Sequence, residues 1–188
     1  GEQYRRSRCD QVETPVRIAG FVGGIDRHTF DLDLFRAVTR LLPDVQFLLV
    51  GGSSIPEGEL QGPNVLLQGQ KDYADVPEYM ARADVLIMPW NQNEWIKACN
   101  PVKLKEYMAI GRPIVTTPFP ALKHFQNHVH TATNPKDFAR KIEEALCADD
   151  VEERICRMRE AVKTEHWRSK FQEVQHTLYT LGVSVSAR

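Results

Sequence analysis

"VQFLLVGG", residues 45 to 52, is a near-continuous apolar run closed by two glycines. A strand with one wet face alternates apolar and polar residues, so a run without alternation belongs to a strand covered on both faces, as in a parallel sheet. Such a strand needs helices on either side of it, and the neighbouring sequence supplies them. Upstream, Val16 to Val22 is short, apolar and β-branched, ends at Gly23-Gly24, and is followed by Phe30 to Leu42 with apolar residues at helical spacing, until Pro43-Asp44 stops it.

Downstream, residues 53 to 63 read as a loop rich in Ser, Gly, Pro and Glu, and "NVLLQGQ" at 64 to 70 reads as a third strand. Asp72 to Ala83 is a short helix with Val76, Tyr79, Met80 and Ala83 on one side. "DVLIMPW" at 84 to 90 is a fourth strand ended by Pro89, and 91 to 99 is a polar loop. In "NPVKLKEYMAIGRPIV", residues 100 to 115, the pattern gives a helix from about Val102 to Ile110, Gly111 as its C-cap and a strand over Pro113 to Thr117. Beyond Pro135 the chain reads as helical, with "PKDFARKIEEAL" and then Asp149 to about Leu181, broken near Thr164 to His166. Strands alternating with helices predict right-handed β-α-β units, hence an α/β fold with a doubly wound, Rossmann-like parallel sheet and a helical C-terminus.

The 188 residues are enough for one well-buried domain, whereas two halves would each have a small core. A formal net charge of -1 with interspersed signs provides no long-range field for nucleic acid or an anionic membrane, so a charged ligand has to be met locally. Cys9, Cys99, Cys147 and Cys156 form neither a C-x-x-C pair nor a zinc pattern, which predicts free thiols in a reducing, cytoplasmic setting. No apolar run reaches the ~18 residues of a membrane helix, and the Arg-rich start does not resemble a signal peptide. Repeats and low-complexity segments are absent.

In an open α/β sheet a ligand sits beyond the carboxyl ends of the strands. Gly23-Gly24, Gln68 to Gln70 and Asn91 to Lys103 converge there. Pro101 suits a first helical turn and Asn100 an N-cap, so the dipole of this helix together with Lys103 forms a local anion site of phosphate or diphosphate size. Glu106, one turn further in, is placed to accept hydrogen bonds from sugar hydroxyls. Gly23-Gly24 belongs to no G-x-G-x-x-G, and no G-K-[ST] follows. The residues alone favour the plainer set: a solvated Lys103–Glu106 pair, a plain cap at Asn100-Pro101 and a plain turn at Gly23-Gly24. Asp31 and Asp33 fall in the first helix, where they supply N-terminal negative charge instead of a metal-binding D-x-D pair.

The run "NPVKLKEYMAIGRPIVTTPFPAL", residues 100 to 122, resembles the nucleotide-sugar-binding segment of retaining glycosyltransferases of the two-domain GT-B fold, of the glycosyl transferases group 1 type. The similarity continues in order through 18 to 35, 45 to 52, 64 to 90 and 134 to 146. It implies that this chain is the C-terminal, donor-binding domain, with Gly1 to Pro15 a linker from a missing N-terminal acceptor-binding domain, 16 to 182 the domain itself and 183 to 188 a tail. By that resemblance the helix start (Asn100, Pro101, Val102, Lys103, Leu104) would hold the diphosphate with Gly23 and Gly24. Glu106 would hold the ribose, and Gly69-Gln70 with Pro89-Trp90 the base.

Two departures from the family pattern stand out. The donor-sugar Glu expected eight positions before Glu106 is Ala98 here, leaving Glu94 or Asn100 as substitutes, and the first-strand loop offers only Arg27, with His28 beside it, for the diphosphate. The helix containing "HWRSKFQEVQHTL", 166 to 178, would keep an orphaned apolar side, because in relatives it crosses to the other domain. The resemblance implies transfer from a nucleotide-diphosphate sugar to a saccharide or lipid-linked acceptor, in polysaccharide biosynthesis, without a metal or other cofactor. Any membrane association would be peripheral, through the missing domain. Two alternatives remain: a non-catalytic nucleotide or sugar-phosphate sensor, and a nucleotide-sugar epimerase using His124, His128 or His130, which otherwise are surface histidines. Trp90 and Trp95 are either base-stacking or packing residues.

Overall fold

The computed structural model describes residues 16–148, 151–165 and 167–180. The expected linker at 1 to 15 and tail at 183 to 188 lie outside the described residues, as does Cys9. Six parallel strands, β1 (Arg17–Val22), β2 (Val45–Val50), β3 (Val65–Leu67), β4 (Val85–Met88), β5 (Ile114–Thr116) and β6 (His130–Thr131), form one sheet in the order β3-β2-β1-β4-β5-β6. The doubly wound sheet is as expected, and its order reverses between β1 and β4; in open sheets of this kind ligands bind beyond the carboxyl ends of the strands. β1 and β2 pair from Arg17 with Val45 to Val22 with Val50, which carries Gly23-Gly24 and Gly51-Gly52 out of the sheet side by side.

Helices α1 (Leu32–Leu41) and α6 (Pro135–Leu146) pack against each other on one face, while α3 (Val76–Arg82), α5 (Val102–Ile110) and α7 (Val151–Val162) cover the other; α8 (Trp167–Thr180) follows. Each has a local cause. The Asp31 carboxylate caps α1 by accepting from Leu34 N–H at 2.9 Å, with Asp33 in the first turn, and Leu34, Phe35 and Val38 are buried beneath it. Asn134 caps α6 in the same way, accepting from Asp137 N–H at 3.0 Å. α5 ends at Gly111, whose φ of 86° is the left-handed conformation expected of a C-cap; a Cβ there would stand 2.8 Å from Ile155 of α7.

The structure adds four elements that the pattern did not announce, one of them a 3-10 helix at Pro120–His124. Within the expected loops lie α2 (Glu57–Leu60) and α4 (Glu94–Ala98), each about one turn long and too short to show a period, although Asn93 caps α4 by accepting from Ile96 N–H. β6 has two residues. The cap of α5 is also shifted: Pro101, with φ −73° and ψ 127°, takes the N-cap position and Asn100 precedes it. A proline side chain accepts no hydrogen bond, so the first turn of α5 has no side-chain cap. On α8, Phe171 and Val174 are more than half exposed, matching the apolar side expected to be bare. Among the described residues no helix is long and apolar enough to cross a membrane.

Candidate functional site

Where β1 and β2 end, a cleft of about 370 Å³ opens between Gly23-Gly24, Gly51-Gly52, Gln70, Lys71, Val76 and Lys103. Its floor is built by backbone. Gly23 N–H donates to Val50 O at 2.8 Å, Ile25 N–H to Gly52 O at 2.9 Å, and Gly51 N–H to Gly69 O at 2.9 Å, so three strand ends are tied together. Gly51 has φ 145°, and a Cβ there would lie 1.9 Å from Gly23 O; only glycine lets the two turns approach this closely. Gly24 has open space where a Cβ would stand.

α5 is fixed against this floor by Tyr107. Its phenol is fully buried, accepts from Val22 N–H at 2.7 Å and donates to Val22 O at 3.2 Å, filling the backbone positions that the end of β1 leaves without a strand partner. Burial pushes its ionisation well above the usual phenol range, with the Val22 hydrogen bond opposing. One turn earlier, the Lys103 stem passes Gly23, with Cε 3.7 Å from where a Gly23 Cβ would be.

Lys103 Nζ lies 2.7 Å from Glu106 Oε2, and both side chains are about three-quarters buried (24% and 23% exposed). Oε2 itself is buried, and Nζ approaches it too obliquely to make a hydrogen bond despite the short distance. Glu106 Oε1 accepts from the Tyr73 hydroxyl at 3.0 Å, which raises the Tyr73 ionisation, first through that bond and then through the carboxylate's charge. Lys103 thus lines the cleft with Glu106 paired to it one turn further along α5, and the pair is mostly buried. Lys105 points elsewhere, to Glu165 at 2.6 Å.

A smaller cleft of about 180 Å³ adjoins the first, sharing Gly51, Gly52 and Gln70 and floored by Ile25, Leu49, Leu67 and Gly69. Gly69 turns with φ 64°. Gly69 and Gln70 are thus at the site, as expected. Trp90 is not: it is 8% exposed, its ring packs on Phe119 at a centroid distance of 5.3 Å, and Thr117 bonds its backbone at both N–H and O. It is a packing residue beneath the β4–β5 edge.

Other expected residues are also placed elsewhere. The Arg27 guanidinium pairs with Glu59, because Asp26 folds the 26–30 turn and Asn91 and Asn93 hold its carbonyls against the segment after β4. Glu94 is exposed on α4 and pairs with Lys97 at 2.6 Å. Asn100 lines a separate cavity of about 620 Å³ with Ala98, Cys99, His124, Phe125 and Glu165. In the first turn of α5, Val102 is exposed and Leu104 is in the core, so what they offer the cleft is backbone. His128 lies two residues before β6 and His130 begins it; neither these nor His124 lines the Lys103 cleft. Trp95 is 60% exposed with its ring edge to His28. Sequence reasoning missed Gly51, Gly52, Lys71 and Tyr73 as site residues. The glycine pair was visible at the end of β2; Tyr73 carries no pattern at all.

Among the described residues no three His, Cys, Asp or Glu side chains are grouped to hold a metal ion. Residues 16–148 match the family described as glycosyl transferases group 1. A teichuronic acid biosynthesis glycosyltransferase of Bacillus subtilis (strain 168), TuaH, is 31% identical over 166 residues, 84% of this chain and 42% of that protein. In structure the chain is similar to sucrose-phosphate synthase from Thermosynechococcus elongatus (TM-score 0.69, 21% identity, 89% of this chain and 46% of that one). It is also similar to Anabaena HepE in complex with UDP (TM-score 0.62, 18% identity, 87% and 48%). These likenesses show a shared GT-B-type, Rossmann-like fold. The chain spans less than half the length of each of these relatives.

Proposed function

The chain belongs to the glycosyl transferases group 1 family, and on that premise we propose that it is the donor-binding half of a glycosyltransferase, holding a nucleotide-diphosphate sugar at the end of β1. The observation that carries this reading is the convergence of Lys103, the uncapped first turn of α5 and the Gly23-Gly24 turn on one cleft at the carboxyl ends of β1 and β2. Unpaired N–H groups and the positive end of the helix dipole attract a diphosphate, and the glycines let its oxygens approach the backbone. In this reading Glu106 accepts from the ribose, and the base enters the smaller cleft beside Gly69 and Gln70.

The chemistry this arrangement supports is electrostatic. As the bond from sugar carbon to diphosphate oxygen breaks, negative charge grows on the leaving group, and donors already aimed at it lower the barrier without reorganising. Neither a metal ion nor a protein base of this domain has a part in that step. A saccharide or lipid-linked acceptor would be held by an N-terminal domain, with any membrane association through that domain, and the product would be a polysaccharide. UDP is the first nucleotide to test, given the UDP complex of HepE. The free thiols Cys99, Cys147 and Cys156 support a reducing, cytoplasmic setting.

Ala98 favours one second reading, a module that binds the nucleotide without taking part in transfer, since a methyl group contributes no hydrogen bond to a donor sugar. Calorimetry of the chain with UDP, GDP and ADP tests the shared claim: saturable binding of a diphosphate is expected, and no binding of any of the three would refute both readings. Joined to an acceptor domain, the chain should transfer sugar under the first reading only.

Substituting Glu106→Gln keeps the shape and removes the charge from its ribose bonds. We expect a loss of about 1 to 3 kcal/mol in nucleoside diphosphate binding, with little change in melting temperature. Unchanged affinity with a lowered melting temperature would instead mark Glu106 as structural.

A further inference from the structure

Tyr73 is 78% exposed, and its hydroxyl is nevertheless held 3.0 Å from Glu106 Oε1. Such a bond contributes about 1 kcal/mol, whether it is made to fold the chain or has to be broken by a ligand. The state of the carboxylate is more informative. Glu106 Oε2 is buried against Lys103, which leaves Oε1 as the oxygen that an incoming hydroxyl meets, and Tyr73 already occupies it. Tyr73 stands two residues after Lys71, which lines the cleft with Gln70, and its hydroxyl donates to Glu106.

We propose that Tyr73 is a gate on the nucleotide site that tunes how strongly the site selects a ribose: its hydroxyl stands in for a ribose hydroxyl on Glu106, and a nucleoside diphosphate binds by exchanging one for the other. The inference rests on reading Glu106 as the ribose acceptor. The exchange breaks one O–H···O bond to Oε1 and makes one, so a ribose gains less from Glu106 than it would at a vacant carboxylate. A ligand without ribose hydroxyls leaves the Tyr73 bond in place. Tyr73 thereby narrows the preference for a ribonucleotide over its deoxy analogue and keeps the complex easy to dissociate.

The test is calorimetry of the wild-type chain and Tyr73→Phe with UDP and with 2′,3′-dideoxyuridine diphosphate. Phenylalanine keeps the ring and removes the competing donor, and the melting temperature should fall by no more than about 2 to 4 °C. UDP should bind the variant about three- to tenfold more tightly, the equivalent of one released hydrogen bond. The dideoxy ligand should bind both proteins alike. Unchanged or weaker UDP binding by Tyr73→Phe, or equal tightening of both ligands, overturns the gate. If Lys103→Ala still weakens UDP binding in that case, the donor-site reading stands without it; if UDP binds neither protein, both fall together.

Discussion

Lys103→Ala should lower affinity for UDP by about ten- to a hundredfold and leave affinity for uridine nearly unchanged, because a charged hydrogen bond to phosphate contributes about 1.5 to 3 kcal/mol and a nucleoside has no phosphate. Lys103 is aimed by geometry: its stem runs beside Gly23, and its ammonium is held within the cleft by Glu106. Its removal also leaves the buried Glu106 Oε2 without a counter-charge, which by itself repels a diphosphate. The two contributions separate in a double-mutant cycle with Glu106→Gln, in which the repulsive part vanishes. Lys105→Ala is the control. Lys105 pairs with Glu165 away from the cleft, so its loss should leave binding intact. Equal weakening of UDP and uridine by both substitutions would refute an anion site at the start of α5.

Gly51→Ala should be the most damaging alanine substitution among the described glycines. A Cβ at Gly51 would lie 1.9 Å from Gly23 O, well inside van der Waals contact, on a backbone whose φ of 145° already excludes most side chains. Neither atom can move freely, since Gly51 N–H is bonded to Gly69 O and Gly23 N–H to Val50 O. Relief would require parting the ends of β1 and β2. We expect a loss of about 3 kcal/mol or more, which for a domain of this size lowers the melting temperature by about 6 to 12 °C. Gly24→Ala, with open space around its Cβ, should melt as the wild type does. Similar melting temperatures for the two variants would show that the closeness of the turns is not a constraint.

The parts of this protein legible in its sequence are those where many residues repeat one signal. The near-continuous apolar run of β2, the period of α1 and the helix, glycine and strand of 102 to 116 each state their element several times over, and the sheet's winding follows from their alternation. α2, α4 and β6 are one turn or two residues long and have no room for a period. The α5 cap was misassigned by one residue because Asn100 has the chemistry of a cap, while the φ that proline fixes suits the position next to it.

The site divides in the same way. Lys103 and Glu106 share a helix, so their spacing alone brings them together. Arg27, Glu94, Asn100 and Trp90 had the right chemistry on the right edge of the sheet, but their direction is decided by partners distant in sequence: Glu59, Lys97, the cavity beside His124, and Phe119. Tyr73 meets Glu106 across 33 positions of chain, and no local pattern records such a meeting.

The central claim is that a nucleoside diphosphate binds where β1 and α5 meet. Titrating UDP into the ¹⁵N-labelled chain and following each backbone amide tests it most directly. The account predicts saturable shifts at Gly23, Gly24, Gly51, Tyr73, Lys103 and Glu106, with little change around Trp95 or along β6. Shifts centred instead on Asn100 and His124, or an unchanged spectrum at the Gly23-Gly24 turn with UDP bound, would contradict it.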